Sequence, residues 1–208
     1  MLLSYHKNFV FIKGIKVAGT SIEVHLAPQL ELDAIVTPII PKGPDSHVPR
    51  NYRIDGVDRF FNHMTASNVI DLIGESEWVG LQSWGVARHP HEKIMSFYFM
   101  NYQRQGTHYT LDDAIEQCSS EAERYCGADG SQLVARIFRY EEIATVLPSF
   151  IASLGLEGEG LSNVREKGDY RKAYDGPEVS FNTDQIARIE QKFAFDLGLY
   201  EDSGITAR

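Results

Sequence analysis

The amino-acid sequence predicts an α/β fold in which helices flank a central, mainly parallel β-sheet. Three short apolar runs, at residues 8–13, 81–88 and 133–140, have the pattern of strands that are buried on both faces. Each run is followed by a segment that predicts a helix. Strands that alternate with helices form parallel sheets, because the chain crosses one face of the sheet before it pairs again.

The first strand leads into a glycine-bounded loop and a helix. The strand ends at Gly14, and a helix can begin at Gly19–Thr20. The stretch 28–62 then contains five prolines, which break any long helix. We therefore expect an insert over residues 28–62, with one strand near residues 35–37.

The rest of the chain predicts helices around the two remaining strands. Thr65 or Ser67 can cap a helix ahead of the second strand. Pro90 suits the first turn of the helix that follows that strand, where its missing N–H is harmless. Further along, the sequence predicts helices over 111–125 and 184–197, a helix ending near Gly155, and an irregular stretch over 157–182.

Composition and charge exclude several classes of protein. The 208 residues are 43% apolar and 24% charged, proportions typical of one globular domain over residues 1–208. The 20 Lys and Arg residues against 29 Asp and Glu give a formal charge of −9. This balance argues against a nucleic-acid partner, because such binding depends on neutralising phosphates. It leaves open a local basic pocket for a small anion.

Cysteine usage and hydropathy indicate a cytoplasmic protein. Cys118 and Cys126 are the only cysteines, and no metal-binding spacing surrounds them. No window of 18 apolar residues predicts a transmembrane helix, so we expect no membrane partner. The first residues lack the basic region, apolar core and cleavage site of a signal peptide.

The loop at residues 14–21 (GIKVAGTS) has the frame of a phosphate-binding loop, G-x4-G-x-[ST]. In such loops, consecutive backbone N–H groups curl around an anion at the positive end of a helix. Thr20 replaces the usual lysine, Lys16 lies in mid-loop, and no predicted strand ends in an acidic residue suited to Mg²⁺. We expect a P-loop-like, three-layer domain. This loop fits sulfuryl transfer better than phosphoryl transfer, because the sulfuryl group carries less negative charge.

The segment FIKGIKVAGTSIE resembles the 5′-phosphosulfate loop of carbohydrate-type sulfotransferases, which use 3′-phosphoadenosine-5′-phosphosulfate (PAPS). Lys16, Gly19, Thr20 and Ser21 match that loop, whereas Ile15 replaces its usual proline.

A second segment, WGVARHPHEKIMSFY, resembles the 3′-phosphate motif of the same family. Arg88, Pro90 and Ser96 match, whereas His89 and Lys93 replace the usual Asn or Asp and the usual second Arg. The two motifs stand in the order and at the separation that the family shows.

The resemblance implies a metal-independent transfer of a sulfuryl group from PAPS to a hydroxyl of a small-molecule or glycan acceptor, leaving adenosine 3′,5′-bisphosphate. It implies that Lys16 stabilises the leaving phosphate and that Ala18, Gly19, Thr20 and Ser21 bind the cofactor. Arg88 and Ser96 would hold the 3′-phosphate.

His63 lies between the motifs, where heparan-sulfate 2-O- and 6-O-type enzymes have a histidine as general base. The same role is therefore implied for His63, and His47 is the rival candidate. The stretch 157–182 is either a solvated loop or a lid over the nucleotide, with candidate contacts Arg165, Lys167, Tyr170 and Arg171.

Two other functions remain open at this point. A small-molecule kinase with a variant phosphate loop is disfavoured by Thr20 and by the missing magnesium carboxylate. A non-catalytic nucleotide-binding module is disfavoured by the presence of Lys16, Arg88 and Ser96 together.

Overall fold

The computed structural model describes residues 1–44, 46–163 and 169–201 and shows a mixed α/β fold around a five-stranded sheet. The described strands are β1 (Leu2–Ser4), β2 (Phe9–Phe11), β3 (Ile35–Val36), β4 (Arg53–Ile54), β5 (Val57–Asp58), β6 (Gln82–Ala87) and β7 (Arg136–Arg139). Strands β4 and β5 form a separate two-stranded hairpin, and the other five form the central sheet.

The strand order is β3-β1-β2-β6-β7. Strands β2, β6 and β7 are parallel neighbours, whereas β1 is antiparallel to both β2 and β3. The predicted parallel pairing is therefore correct for β2, β6 and β7, whereas the β1–β3 side of the sheet is antiparallel.

Ten α-helices are described: α1 (Gly19–Leu26), α2 (Ala66–Ile73), α3 (Glu75–Gly80), α4 (Pro90–Gln105), α5 (Leu111–Gln117), α6 (Ala122–Tyr125), α7 (Leu147–Ser153), α8 (Asp169–Lys172), α9 (Thr183–Lys192) and α10 (Ala194–Glu201). Short 3₁₀ helices lie at Ala27–Gln29, Tyr140–Glu142 and Glu159–Asn163.

Helices cover both faces of the sheet. Alternate strand residues such as Phe9 and Phe11 pack with α1 and α7, whereas Val10 and Ile12 face α2, α3 and α10 on the other side. Trp84 of β6 is fully buried in the first of these cores. A third apolar cluster joins α4, α5 and α9. The alternation along β2 explains its continuous apolar sequence, because both of its faces are buried.

Two predicted helices are each broken into two. The expected helix over 111–125 ends at Gln117, because Cys118 is extended and Ser120 and Glu121 turn to bond the Asp196 side chain. The expected helix over 184–197 is interrupted at Phe193, which is fully buried. Both breaks arise from tertiary contacts that helical periodicity does not contain.

The predicted strand over 133–140 is shorter at both ends. The backbone N–H groups of Leu133 and Val134 bond to the Tyr125 carbonyl oxygen instead of entering the sheet. Tyr140 begins a 3₁₀ helix. The described part of the stretch 28–62 contains the expected strand β3 and also the hairpin β4–β5, which the sequence did not predict.

A buried ion pair closes the loop between β2 and α1. The Lys13 ammonium lies 2.6 Å from Glu23 Oε2, and the Met1 amino group lies 2.5 Å from Glu23 Oε1. All three groups are almost fully buried. Burial alone would raise the pKa of Glu23, but the two ammonium groups hold this pKa well below its usual range. Lys13, just before the loop, is thereby bonded to Glu23 of α1, just after the loop.

Replacing Glu23 by Gln is expected to lower the free energy of unfolding by about 3–5 kcal/mol, because buried ammonium groups lose their carboxylate. Urea unfolding at pH 7 measures the change. Glu116→Gln on α5 is the matched control, since its side chain is exposed, and should change the value by less than about 0.5 kcal/mol. Equal effects of the two substitutions would show that the buried pair does not stabilise the fold.

Candidate functional site

A cavity of about 280 Å³ lies where the parallel strands β2 and β6 end. Sites in α/β sheets commonly occupy this position. The cavity is bounded by the 14–21 loop, by Arg88 and α4, and by parts of four other segments, at residues 40–41, 62–63, 140 and 170–171. The polar residues that line it are Lys13, Lys16, Thr20, Ser21, Asn62, His63, Arg88, Glu92, Ser96, Arg104, Tyr140, Tyr170 and Arg171.

The loop backbone forms a concave surface ahead of α1. Lys16 and Ala18 both have φ near 60°, and Val17 between them does not, so left-handed and ordinary conformations alternate. This alternation turns successive backbone N–H groups to one side, an arrangement that binds anions. No side chain caps the first turn of α1, and that turn contains no acidic residue. The loop therefore presents a positive, uncapped helix end to the cavity.

Arg88 joins the two sequence motifs. It follows the last residue of β6, and its side chain is 18% exposed. Its Nη1 donates to the Lys16 carbonyl oxygen at 3.5 Å, and its guanidinium lies 4.5 Å from the centre of the Tyr140 ring. Nη2 lies 3.5 Å from Glu92 Oε2, one turn into α4. The guanidinium is thus held at the cavity wall on three sides.

One face of α4 runs along the cavity. Ser96 lies six residues after Pro90, which is about 9 Å along the helix axis. Met100 lies one turn further, and its Sδ is 3.7 Å from Lys16 Nζ. Lys16 Nζ also lies 5.2 Å from the centre of the Tyr170 ring. Lys16 therefore contacts both α4 and α8 from the middle of the loop.

His63 enters the cavity from the segment before α2. Its Nδ1 lies 3.2 Å from the Lys13 carbonyl oxygen, so that Nδ1 carries the proton and Nε2 keeps its lone pair. Arg124 Nη1 donates to the His63 carbonyl oxygen at 2.6 Å. The backbone of His63 is left-handed, with φ of 61°. Burial, followed by the charge of Lys13, lowers the pKa of His63 to about 4, so its ring is neutral at pH 7.

His47 is not among the described residues that line the cavity. Its side chain is buried, with Nε2 3.9 Å from Glu23 Oε2, and neither ring nitrogen has a hydrogen-bond partner among the described residues. Of the two candidate bases, the geometry therefore favours His63.

The cavity is cationic although the chain is acidic. Five cationic side chains and one carboxylate, that of Glu92, are found among the described residues that line it. Lys13 is paired with Glu23 below the loop, and Arg171 lies 3.8 Å from Glu92. Sequence reasoning missed Asn62, Arg104 and Tyr140 as cavity residues. For Arg104 a signal existed, because it lies eight residues, or about two helical turns, after Ser96 on the same helix.

The candidate lid is described only in part. Tyr170 and Arg171 line the cavity. Arg171 also lies over the Phe99 ring at 5.7 Å. Arg165 and Lys167 lie outside the described residues.

In the described part of the chain, one group of side chains has the types and spacing of metal ligands. It consists of His6, Glu31 and Asp33, and none of these lines the cavity. The His6 and Asp33 side chains are mostly exposed. Over the same residues, no helix has both the length and the apolar character needed to cross a membrane.

Lowering the pH is expected to destabilise the wild-type protein more than His63→Asn. The unfolded chain binds a proton at His63 near pH 6.5, but the folded chain does so only near pH 4. The free energy of unfolding therefore falls by roughly 2–3 kcal/mol as the pH drops from 6.5 toward 4.

Asparagine is the suitable replacement for His63, because it tolerates the left-handed backbone and its amide can donate to the Lys13 carbonyl. Urea unfolding of both proteins at several values between pH 7.5 and 4 measures the difference. Parallel pH dependence of the two proteins would contradict the lowered pKa.

No protein-family model, curated protein or solved structure matches this chain. A functional assignment therefore depends on the two sequence motifs and on the chemistry of the cavity.

Proposed function

We propose that this protein is a sulfotransferase that moves the sulfuryl group of PAPS to a hydroxyl of a small-molecule or glycan acceptor. The observation that carries the proposal is the meeting of two independent motifs at one cavity. Arg88 of the second motif donates to the backbone of Lys16 in the first, 72 residues earlier. Twelve residues are proposed for the site, and ten of them line this cavity. The other two, Arg165 and Lys167, lie outside the described residues.

The donor set suits a ligand with several anionic groups. The loop offers backbone N–H groups, Lys16 offers an ammonium, and Arg88 offers a planar fork that can bind two phosphate oxygens at once. Ser96 on the flank of α4 adds a hydroxyl donor. We assign the 5′-phosphosulfate to the loop and the 3′-phosphate to Arg88 and Ser96.

In the proposed reaction, an acceptor hydroxyl attacks the sulfur in line with the leaving phosphate. His63 Nε2 accepts the hydroxyl proton, because Nδ1 is occupied by the Lys13 carbonyl. Lys16 offsets the negative charge that grows on the bridging oxygen as the S–O bond breaks. The P-loop-like fold of the family is part of this proposal.

A kinase is the weaker alternative. Phosphoryl transfer with magnesium needs carboxylates aimed at the metal. The carboxylate of Glu92 is paired with Arg88 and Arg171 instead. A non-catalytic nucleotide-binding module does not account for a neutral histidine held in one tautomer inside the cavity.

Adenosine 3′,5′-bisphosphate is expected to raise the melting temperature clearly, and AMP only slightly, because AMP lacks the 3′-phosphate that Arg88 would bind. At 100 times Kd the ligand contributes about 2.7 kcal/mol. Arg88→Ala should abolish the shift. Arg53→Ala, on the exposed β4–β5 hairpin, should retain it. Equal shifts with the two nucleotides would refute the 3′-phosphate assignment.

His63→Asn is expected to slow sulfuryl transfer by about 10²–10⁴-fold without weakening nucleotide binding, because it removes the proton acceptor and keeps the amide donor. Transfer is measured with ³⁵S-labelled PAPS and a panel of phenols, sugars and glycans. A His63→Asn protein with near wild-type turnover would place the base elsewhere.

Lys16→Ala should lower kcat beyond any change in KM in the same assay, because the lysine offsets charge that grows as the S–O bond breaks.

A further inference from the structure

Three charged side chains form a buried cluster behind the loop. Lys93 of α4, Glu121 just before α6 and Asp196 of α10 are all fully buried. Lys93 Nζ lies 2.5 Å from Glu121 Oε1 and 3.5 Å from Asp196 Oδ2. Asp196 Oδ1 accepts hydrogen bonds from Ser120 Oγ at 2.7 Å and from the Glu121 N–H at 2.8 Å. Lys93, which replaces the second arginine usual in the 3′-phosphate motif, is therefore part of this cluster.

The second oxygen of Glu121 is directed at the loop. Glu121 Oε2 is buried and has no hydrogen-bond partner among the described residues. A Cβ at Gly14 would lie 2.6 Å from this oxygen and 2.9 Å from the Tyr125 hydroxyl. Gly14 begins the loop and lines the cavity, so only a glycine backbone separates this oxygen from the proposed anion site.

Ionised Glu121 places a negative charge directly behind a loop that is arranged to bind anions. The titratable groups close to Glu121 are Lys93, Asp196, Arg124 and Tyr125 of α6, and Cys118. Lys93 and Arg124 offset the two carboxylates, but protonation of Glu121 removes the negative charge that lies nearest to Gly14. Like charges repel more strongly in a buried environment than in water, so this charge opposes the binding of a phosphate.

We propose that anion binding at the 14–21 loop is coupled to protonation of Glu121. A phosphate-bearing ligand binds more tightly when Glu121 is neutral, and its binding draws a proton from solvent onto this carboxyl group. The coupling is reciprocal, because each event changes the free energy of the other by the same amount. Glu121 acts here as a positioning residue, since it contacts the loop and not the ligand. The identity of the ligand depends on the proposed function.

The pKa of Glu121 agrees with such coupling. Burial and then the charge of Asp196 raise this pKa to about 7, against the opposing effect of Lys93. The carboxyl group therefore exchanges its proton within the pH range in which the protein can be assayed.

The test is calorimetric binding of adenosine 3′,5′-bisphosphate between pH 6 and 8.5, in two buffers with different ionisation enthalpies. We expect the wild-type Kd to rise with pH by about tenfold more than the Kd of Glu121→Gln. The wild type should also take up a larger fraction of a proton near pH 7 than this variant. The ligand's own phosphate titration is common to both proteins and cancels in the comparison. Glu116→Gln, the exposed control, should behave as wild type.

Asp196→Asn provides a second variant in case Glu121→Gln does not fold. It keeps an oxygen for Ser120 and for the Glu121 N–H but removes the negative charge that raises the pKa of Glu121, so the pH dependence of binding should move to lower pH. An unshifted pH dependence in this variant, or the same pH dependence in Glu121→Gln as in wild type, overturns the coupling and leaves the proposed function intact. If wild type binds neither adenosine 3′,5′-bisphosphate nor pyrophosphate at any pH, both proposals fail.

Discussion

The buried Glu121–Lys93 ion pair anchors the short segment 120–125, and the geometry of the cavity depends on that segment. Within little more than one helical turn, Glu121 packs against Gly14, Arg124 donates to the His63 carbonyl, and Tyr125 binds β6. The Tyr125 hydroxyl accepts from the Val86 N–H at 3.1 Å and donates to the Val86 carbonyl at 2.8 Å. One segment therefore sets the relative positions of the loop, the proposed base and the end of β6.

This arrangement places a strict requirement on residue 85. A Cβ at Gly85 would lie 2.5 Å from the Tyr125 ring, so a larger residue would push the ring away from β6. The glycine inside a central strand, which would ordinarily weaken it, is explained by the close approach of this ring. The Arg88 motif and the 120–125 segment are linked through that contact.

The sequence predicted the elements whose patterns are local. Strands β2 and β6 were found because burial on both faces gives a continuous apolar run, and the starts of α1 and α4 were marked by Gly19 and Pro90. Strand β1 was missed, because it pairs antiparallel with β2 and β3, an arrangement that the alternation of strands and helices does not contain. The break after Gln117 was missed because it depends on Asp196, far away in the chain.

The candidate site was predictable only where a motif names residue types. Lys16, Arg88 and Ser96 were identified in this way, and the structure brings them to one cavity. Lys93 shows the limit of this approach, because it occupies a motif position but pairs with buried acids instead of facing the cavity. Tyr140 joins the site through the sheet topology, which no local pattern contains.

The environment of His63 has a consequence for the order of events in the proposed reaction. Burial, and after it the positive charges of Lys13 and Arg124, lower the pKa of His63 and make its imidazole a weak proton acceptor in the absence of an anion. A bound nucleotide would bring several negative charges into the same cavity and offset them, which strengthens the base. An acceptor that arrives first meets a histidine with little basicity, whereas one that arrives second meets a competent base. The donor nucleotide would thus act as an activator as well as a substrate, giving an ordered kinetic mechanism in which it binds first.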